Sequence, residues 1–79
     1  MSQYEISVTC TECKREHPMR IRLSLTDGPR YKESIYDAYY DKAHPPQLQA
    51  VEGHKVLCLK TGKMFIQSNL DEVFLLPMR

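Results

Sequence analysis

Two cysteines, Cys10 and Cys13, limit most strongly how this chain can fold. They lie in the stretch VTCTECKREHP, and His17 follows four positions after the second of them. A chain of 79 residues buries only roughly 60% of its unfolded surface, so domains of this size commonly need a metal ion or another cross-link. The stretch is therefore interpreted as a metal site, a redox pair or a simple turn.

Alternating apolar and polar residues predict a strand on each side of this stretch. YEISV, 4–8, alternates before the cysteines, and MRIRLSL, 19–25, alternates after them. In the second strand the apolar side chains face one side, while Arg20 and Arg22 face the other. The cysteines then fall in the loop of a β-hairpin, and both arginines are expected to be exposed.

The spacing of apolar residues changes in the middle of the chain. There the apolar residues of ESIYDAYYDKA, 33–43, fall on one face of a helix. Two prolines follow and end that helix. Further strands are predicted at 55–59, 64–68 and 72–76. The sequence thus predicts one α+β domain over residues 1–79 in the order ββαβββ: a small antiparallel sheet of two hairpins and a final strand, covered by one helix.

The third cysteine lies in a second predicted hairpin that is similar to the first. VTCTECKR, 8–15, aligns with VLCLKTGK, 56–63, so that Cys58 matches Cys10 and Thr61 matches Cys13. Two thiolates separated by two residues can reach one metal ion at about 2.3 Å. The two hairpins resemble a zinc ribbon, in which two hairpin loops called knuckles each supply two cysteines to one tetrahedral zinc ion.

The second knuckle lacks the cysteine that the zinc-ribbon resemblance implies at position 61. A neutral threonine hydroxyl is a poor ligand for structural zinc, which prefers thiolate and imidazole. The nearest candidate for a fourth ligand is the histidine that follows the first knuckle. The predicted ligands of one structural zinc ion are therefore Cys10, Cys13, His17 and Cys58.

Two other interpretations of the cysteines stay open at this point. In a ribbon that keeps its hairpins but binds no metal, the three thiols pack as small hydrophobic groups. In a redox pair, Cys10 and Cys13 react with each other, although such C-x-x-C motifs normally begin a helix within a βαβ unit and this one lies between strands.

Composition and charge narrow the classes of function. The apolar runs are far shorter than the ~20 residues that span a bilayer, and the chain starts without a basic and apolar leader, so a cytoplasmic protein without a membrane partner is expected. We find no phosphate-binding loop, nucleophile elbow or paired carboxylates, and so short a chain leaves little room for a pocket. A non-enzymatic protein without a small-molecule substrate is therefore expected.

The remaining candidates are an adaptor or regulatory protein that binds another protein and, as the alternative, a nucleic-acid-binding module. Residues 14–32 hold six basic and two acidic residues, a local charge of +4 in a chain whose net charge is +1. The near-neutral net charge of the whole chain favours a protein partner over a nucleic acid. Four tyrosines lie between positions 31 and 40. Their helical spacing favours packing in the core, with partial exposure of Tyr36 and Tyr40. The predicted partner-binding residues are Arg20, Arg22, Tyr36 and Tyr40.

Overall fold

The computed structural model describes residues 2–78, which form a β-rich fold with antiparallel sheets and one short helix. Six strands and one α-helix are present in this part of the chain, together with two 3₁₀ turns. Their bounds are β1 Ser2–Thr9, β2 Glu16–Leu25, β3 Glu33–Ser34, α1 Ile35–Ala38, a first 3₁₀ turn Pro46–Ala50, β4 Val56–Leu57, β5 Met64–Phe65, a second 3₁₀ turn Leu70–Glu72, and β6 Val73–Pro77.

The larger sheet is built around β1, which pairs antiparallel with both β2 and β6. The strand order is β2-β1-β6-β3, so β1 and β6 are the two inner strands. Alternate residues of β1, namely Tyr4, Ile6 and Val8, are buried, and the last of these lies opposite Val73 in β6. The strict alternation in the sequence therefore places one face of β1 on the core.

A bulge interrupts the pairing of β1 with β2. Glu5 pairs with Arg22 but Ser7 pairs with Pro18, so three residues of β2 lie opposite a single residue of β1. Arg20, in the middle of these three, has a φ of 60°. Two extra residues preserve the alternation of side chains, because the period of a strand is two. Arg20 and Arg22 are accordingly both exposed, as the sequence pattern predicts.

The second sheet is the short hairpin of β4 and β5. Val56 lies opposite Phe65, and both side chains are buried against the common core. The segment after β5 attaches to the larger sheet, because the Gln67 side-chain amide donates a hydrogen bond to the carbonyl of Thr9 over 3.0 Å. This bond fixes the hairpin at the end of β1 where the first cysteine follows.

The helix is much shorter than the predicted span 33–43. It covers one turn, Ile35–Ala38, capped by the Ser34 hydroxyl, which accepts a hydrogen bond from the Asp37 amide over 3.1 Å. Residues 33–34 instead pair with β6 as a strand. The first turn of a helix is unfavourable to form, and aromatic residues are modest helix formers. Pairing with β6 is therefore more favourable than helix at the start of this segment. No helix within residues 2–78 is long and apolar enough to cross a membrane.

The shortness of the helix affects which of the clustered tyrosine side chains are buried. Tyr39 is buried as the predicted packing face requires, whereas Tyr31, Tyr36 and Tyr40 are exposed. The helix ends at Ala38, with Tyr39 as its C-cap, so Tyr40 no longer follows the helical face. Core packing is thus correct for Tyr39, the partial exposure expected of two tyrosines is found at Tyr36 and Tyr40, and only Tyr31 departs from the prediction.

Leu75 and Leu59 offer a matched test of this packing, because Leu75 is fully buried in β6 and Leu59 is largely exposed. We expect Leu75→Ala to lower the free energy of unfolding by about 2–5 kcal/mol and Leu59→Ala to change it by less than about 0.5 kcal/mol. Urea unfolding of the two variants and the parent chain measures both values. Equal losses of unfolding free energy in Leu75→Ala and Leu59→Ala would contradict the burial of Leu75 in the core.

Candidate metal centre

The first knuckle, residues 10–15, is a tight turn closed by two backbone hydrogen bonds. The Cys10 amide donates to the carbonyl of Arg15 over 2.7 Å, and the Lys14 amide donates to the carbonyl of Cys10 over 3.1 Å. Lys14 has a φ of 64°, in the left-handed region that glycine adopts most easily. The turn directs the first cysteine side chain toward the interior, where it is fully buried.

The second knuckle, residues 58–63, repeats this turn. The Cys58 amide donates to the carbonyl of Lys63 over 2.9 Å, and the Gly62 amide donates to the carbonyl of Cys58 over 2.7 Å. Gly62 occupies the left-handed position with a φ of 74°. The two knuckles therefore share the same pair of hydrogen bonds at the same spacing, as the similarity of the two hairpin sequences predicts.

Both knuckles point to the same place. The ligand atoms of Cys10, Cys13, His17 and Cys58 all lie within 4.8 Å of one another. His17 Nε2 is 3.1 Å from the sulfur of Cys13 and 3.7 Å from the sulfur of Cys58. A tetrahedral zinc ion with bonds of about 2.3 Å to sulfur and 2.0 Å to nitrogen separates its ligand atoms by roughly 3.5–3.8 Å. The cluster thus has the dimensions of a site for one ion such as zinc.

Each ligand candidate is positioned by a different structural element. Cys10 directly follows β1, Cys13 lies within the first knuckle, His17 is the second residue of β2, and Cys58 directly follows β4. The structure therefore brings together the four residues that the sequence analysis selects, and the predicted proximity of the three cysteines is confirmed. Their role as ligands stays a prediction, which the donor set supports because thiolate and imidazole suit zinc.

The site is largely closed to solvent. Cys10 and Cys58 are buried, whereas Cys13 and His17 are half-buried. A site with four protein ligands fills all tetrahedral positions of zinc, which is typical of structural rather than catalytic zinc. The arrangement can therefore hold a metal ion between the two knuckles without leaving a coordination position for a substrate.

Thr61 contributes to the site although it supplies no ligand. The hydrogen bond of its side chain to Cys58 is the largest cause that lowers the pKa of that thiol, to about 6, while burial acts in the opposite direction. Backbone hydrogen bonds from Thr61 and Lys60 lower the pKa further. In the first knuckle, burial raises the pKa of Cys10 and outweighs its backbone hydrogen bonds. The second knuckle thus favours the thiolate that a metal ion requires.

The predicted partner-binding residues are exposed, but they do not form one site. Arg20 and Arg22 lie on β2, at one edge of the larger sheet, and Arg22 forms an exposed salt bridge of 3.7 Å with Glu5. Tyr36 and Tyr40 follow β3, at the opposite edge, and their rings contact edge to face with centroids 5.7 Å apart. Partner binding by either pair stays a prediction.

Sequence reasoning missed a second exposed surface. The β4–β5 hairpin presents four large apolar side chains to solvent: Leu57, Leu59, Met64 and Ile66. The signal was present in VLCL and MFI, whose residues are apolar at consecutive rather than alternate positions. A strand that is apolar on both faces is either buried on both sides within its own chain or has one face that binds another molecule.

Comparison of the chain with protein-family models, curated proteins and solved structures gave no match.

Replacing the histidine tests which residue completes the metal site. We expect His17→Ala to weaken zinc binding by more than the roughly 10- to 100-fold loss seen when only an outer-shell partner is removed. Adding Thr61→Cys to that variant should restore binding, because the second knuckle already has the geometry of a two-cysteine turn. Competition with a zinc-sensitive dye measures the three affinities. Unchanged affinity in the single variant would exclude His17 as a ligand.

Thr61→Val tests the stabilisation of the Cys58 thiolate. Removing the hydroxyl removes the largest cause that lowers this pKa to about 6, so the pKa should rise. More protons then compete with the metal near neutral pH, and the pH at which half of the zinc is bound should shift upward. The exposed Thr26→Val is the matched control and should leave that pH unchanged. An acid-release titration of zinc from the three proteins makes the comparison.

Proposed function

We propose that this chain is a non-enzymatic structural zinc protein that acts by binding another protein. The cluster of Cys10, Cys13, His17 and Cys58 is the observation that carries the proposal. These residues supply four ligand atoms of the kinds that structural zinc prefers, at separations that suit one tetrahedral ion.

The expected contribution of the metal is to hold two knuckles that are far apart in the sequence. Strands β4 and β5 have two residues each, and an isolated two-stranded hairpin is marginally stable at best. A bond from Cys58 to an ion shared with the first knuckle ties this hairpin to the larger sheet. In small zinc domains, metal binding and folding share the same free energy, so the ion would stabilise the whole chain.

A protein partner is supported by the surface rather than by the metal centre. Contiguous exposed apolar side chains are typical of protein interaction sites, and the β4–β5 hairpin carries four of them. The basic segment 14–32 gives weaker support to a nucleic-acid partner. Two of its cations pair with acids: Arg22 with Glu5, and Lys32 with Glu16 at 2.7 Å. Such pairing reduces the positive field that nucleic-acid binding requires.

Chelation of the purified, reduced protein tests the structural zinc. We expect one zinc per chain by native mass spectrometry, and a large fall in melting temperature when a strong chelator removes it. Structural zinc contributes on the order of 10 kcal/mol of apparent binding free energy at neutral pH. Cys58→Ser should show the same low melting temperature with or without chelator. The exposed Ser68→Ala is the control and should behave like the parent chain.

Two results would contradict the proposal. A protein that is purified without stoichiometric metal and melts at the same temperature after added zinc would favour the metal-free ribbon. A disulfide between Cys10 and Cys13 that forms and reduces reversibly, with no loss of fold, would favour the redox pair.

A further inference from the structure

The outward side of the β4–β5 hairpin carries the largest cluster of exposed aliphatic side chains in residues 2–78. Leu57, Leu59, Met64 and Ile66, here called the apolar face, are 46%, 70%, 54% and 47% exposed. Leu57 lies directly opposite Met64 in the strand pairing, while the alternate pair, Val56 and Phe65, is buried beneath. The hairpin is therefore apolar on both sides, and only its inner side is covered by this chain.

Lysines flank the residues of the apolar face along the chain. Lys55, Lys60 and Lys63 are exposed, and residues 54–70 contain no aspartate or glutamate. Within residues 2–78, none of these three lysines takes part in a salt bridge. A shallow groove between β4 and the start of β2 adds Arg20 beside Leu57. The surface thus combines an aliphatic centre with a positive rim, in a chain whose total charge is only +1.

This combination argues against two other occupants. A second copy of the chain, docked face to face, would bring the three lysines against an identical set, and like charges across an interface are unfavourable. Single-stranded nucleic acid stacks its bases on aromatic side chains, but the apolar face is aliphatic and the one aromatic residue of the hairpin, Phe65, is buried. An acidic protein segment with apolar side chains complements both the centre and the rim.

We propose that the apolar face and its lysine rim bind an acidic segment of a partner protein. Apolar side chains of the partner cover Leu57, Leu59, Met64 and Ile66, and its carboxylates pair with Lys55, Lys60 and Lys63. This inference rests on the proposed function, because it names the partner chemistry of a zinc-held protein-binding module. Cys58 lies between Leu57 and Leu59, so the same ion that closes the knuckle also fixes the spacing of the surface.

Selection from a displayed library of random short peptides tests the proposal with the zinc-loaded full chain. We expect enriched peptides to combine aspartate or glutamate with leucine, isoleucine or phenylalanine. A synthetic peptide of the enriched sequence should shift the amide resonances of residues 55–66 in a ¹⁵N-labelled sample. Its affinity should fall with added salt, because the rim contributes electrostatically.

Three paired variants locate the binding surface. Lys55→Glu with Lys63→Glu reverses the rim, and Leu57→Ser with Met64→Ser removes the apolar contact. Each pair should weaken binding of the enriched peptide by more than about tenfold while zinc stoichiometry stays at one. Arg30→Glu with Lys42→Glu, two exposed cations outside the hairpin, is the matched control and should change the affinity less than about twofold.

Several results would overturn the inference. Enriched peptides without acidic residues, resonance shifts outside 55–66, or equal losses in the rim and control variants would each exclude an acidic partner at this surface. Binding of single-stranded RNA or anionic lipid vesicles through residues 55–66, with no peptide enriched, would assign the surface to that ligand instead. A zinc-free chain that still bound the acidic peptide through the hairpin would contradict the zinc function while supporting this surface.

Discussion

The convergence of the two knuckles at one end of β1 is the constraint on which the rest of this structure depends. Each knuckle is closed by the same two backbone hydrogen bonds, and together they bring three sulfur atoms and one imidazole nitrogen within 4.8 Å. The larger sheet fixes the first knuckle through long pairings of β1, whereas the second hairpin has only two residues in each strand. Burial of Val56 and Phe65, the hydrogen bond from Gln67 to β1 and the proposed metal ion hold that weaker hairpin in place.

The second knuckle has Thr61 where the first has Cys13, and two residues bear on this difference. His17 brings a ring nitrogen to the cluster from the start of β2, where pairing with Val8 fixes its backbone next to the first knuckle. Thr61 stands at the position that matches Cys13 and lowers the pKa of the Cys58 thiol through its hydroxyl. In the proposed zinc site, His17 would thus take the place of a fourth cysteine ligand and Thr61 would assist the ligand Cys58, which fits a closed, structural site.

The parts of this fold that follow from local pattern were predictable, and the parts that follow from competition between elements were not. Alternation of apolar and polar residues identifies β1 and β2, and the similarity of residues 8–15 to residues 56–63 identifies both knuckles. The helix over 33–43 was overestimated because residues 33–34 pair with β6, a long-range interaction that the periodicity of the segment does not contain. The exposed side of β4 and β5 was missed for a related reason: consecutive apolar residues do not show which face the rest of the chain covers.

The proposed zinc ion would hold a hairpin that presents an apolar surface, and in this way the candidate metal centre would be linked to the proposed partner binding. X-ray absorption spectroscopy of the zinc-loaded, reduced protein tests the proposed coordination by three cysteines and one histidine, because it reports the atoms bonded to the metal. We expect three sulfur ligands at about 2.3 Å and one nitrogen ligand at about 2.0 Å. A first shell with fewer than three sulfurs, or with an oxygen in place of the imidazole nitrogen, would contradict it.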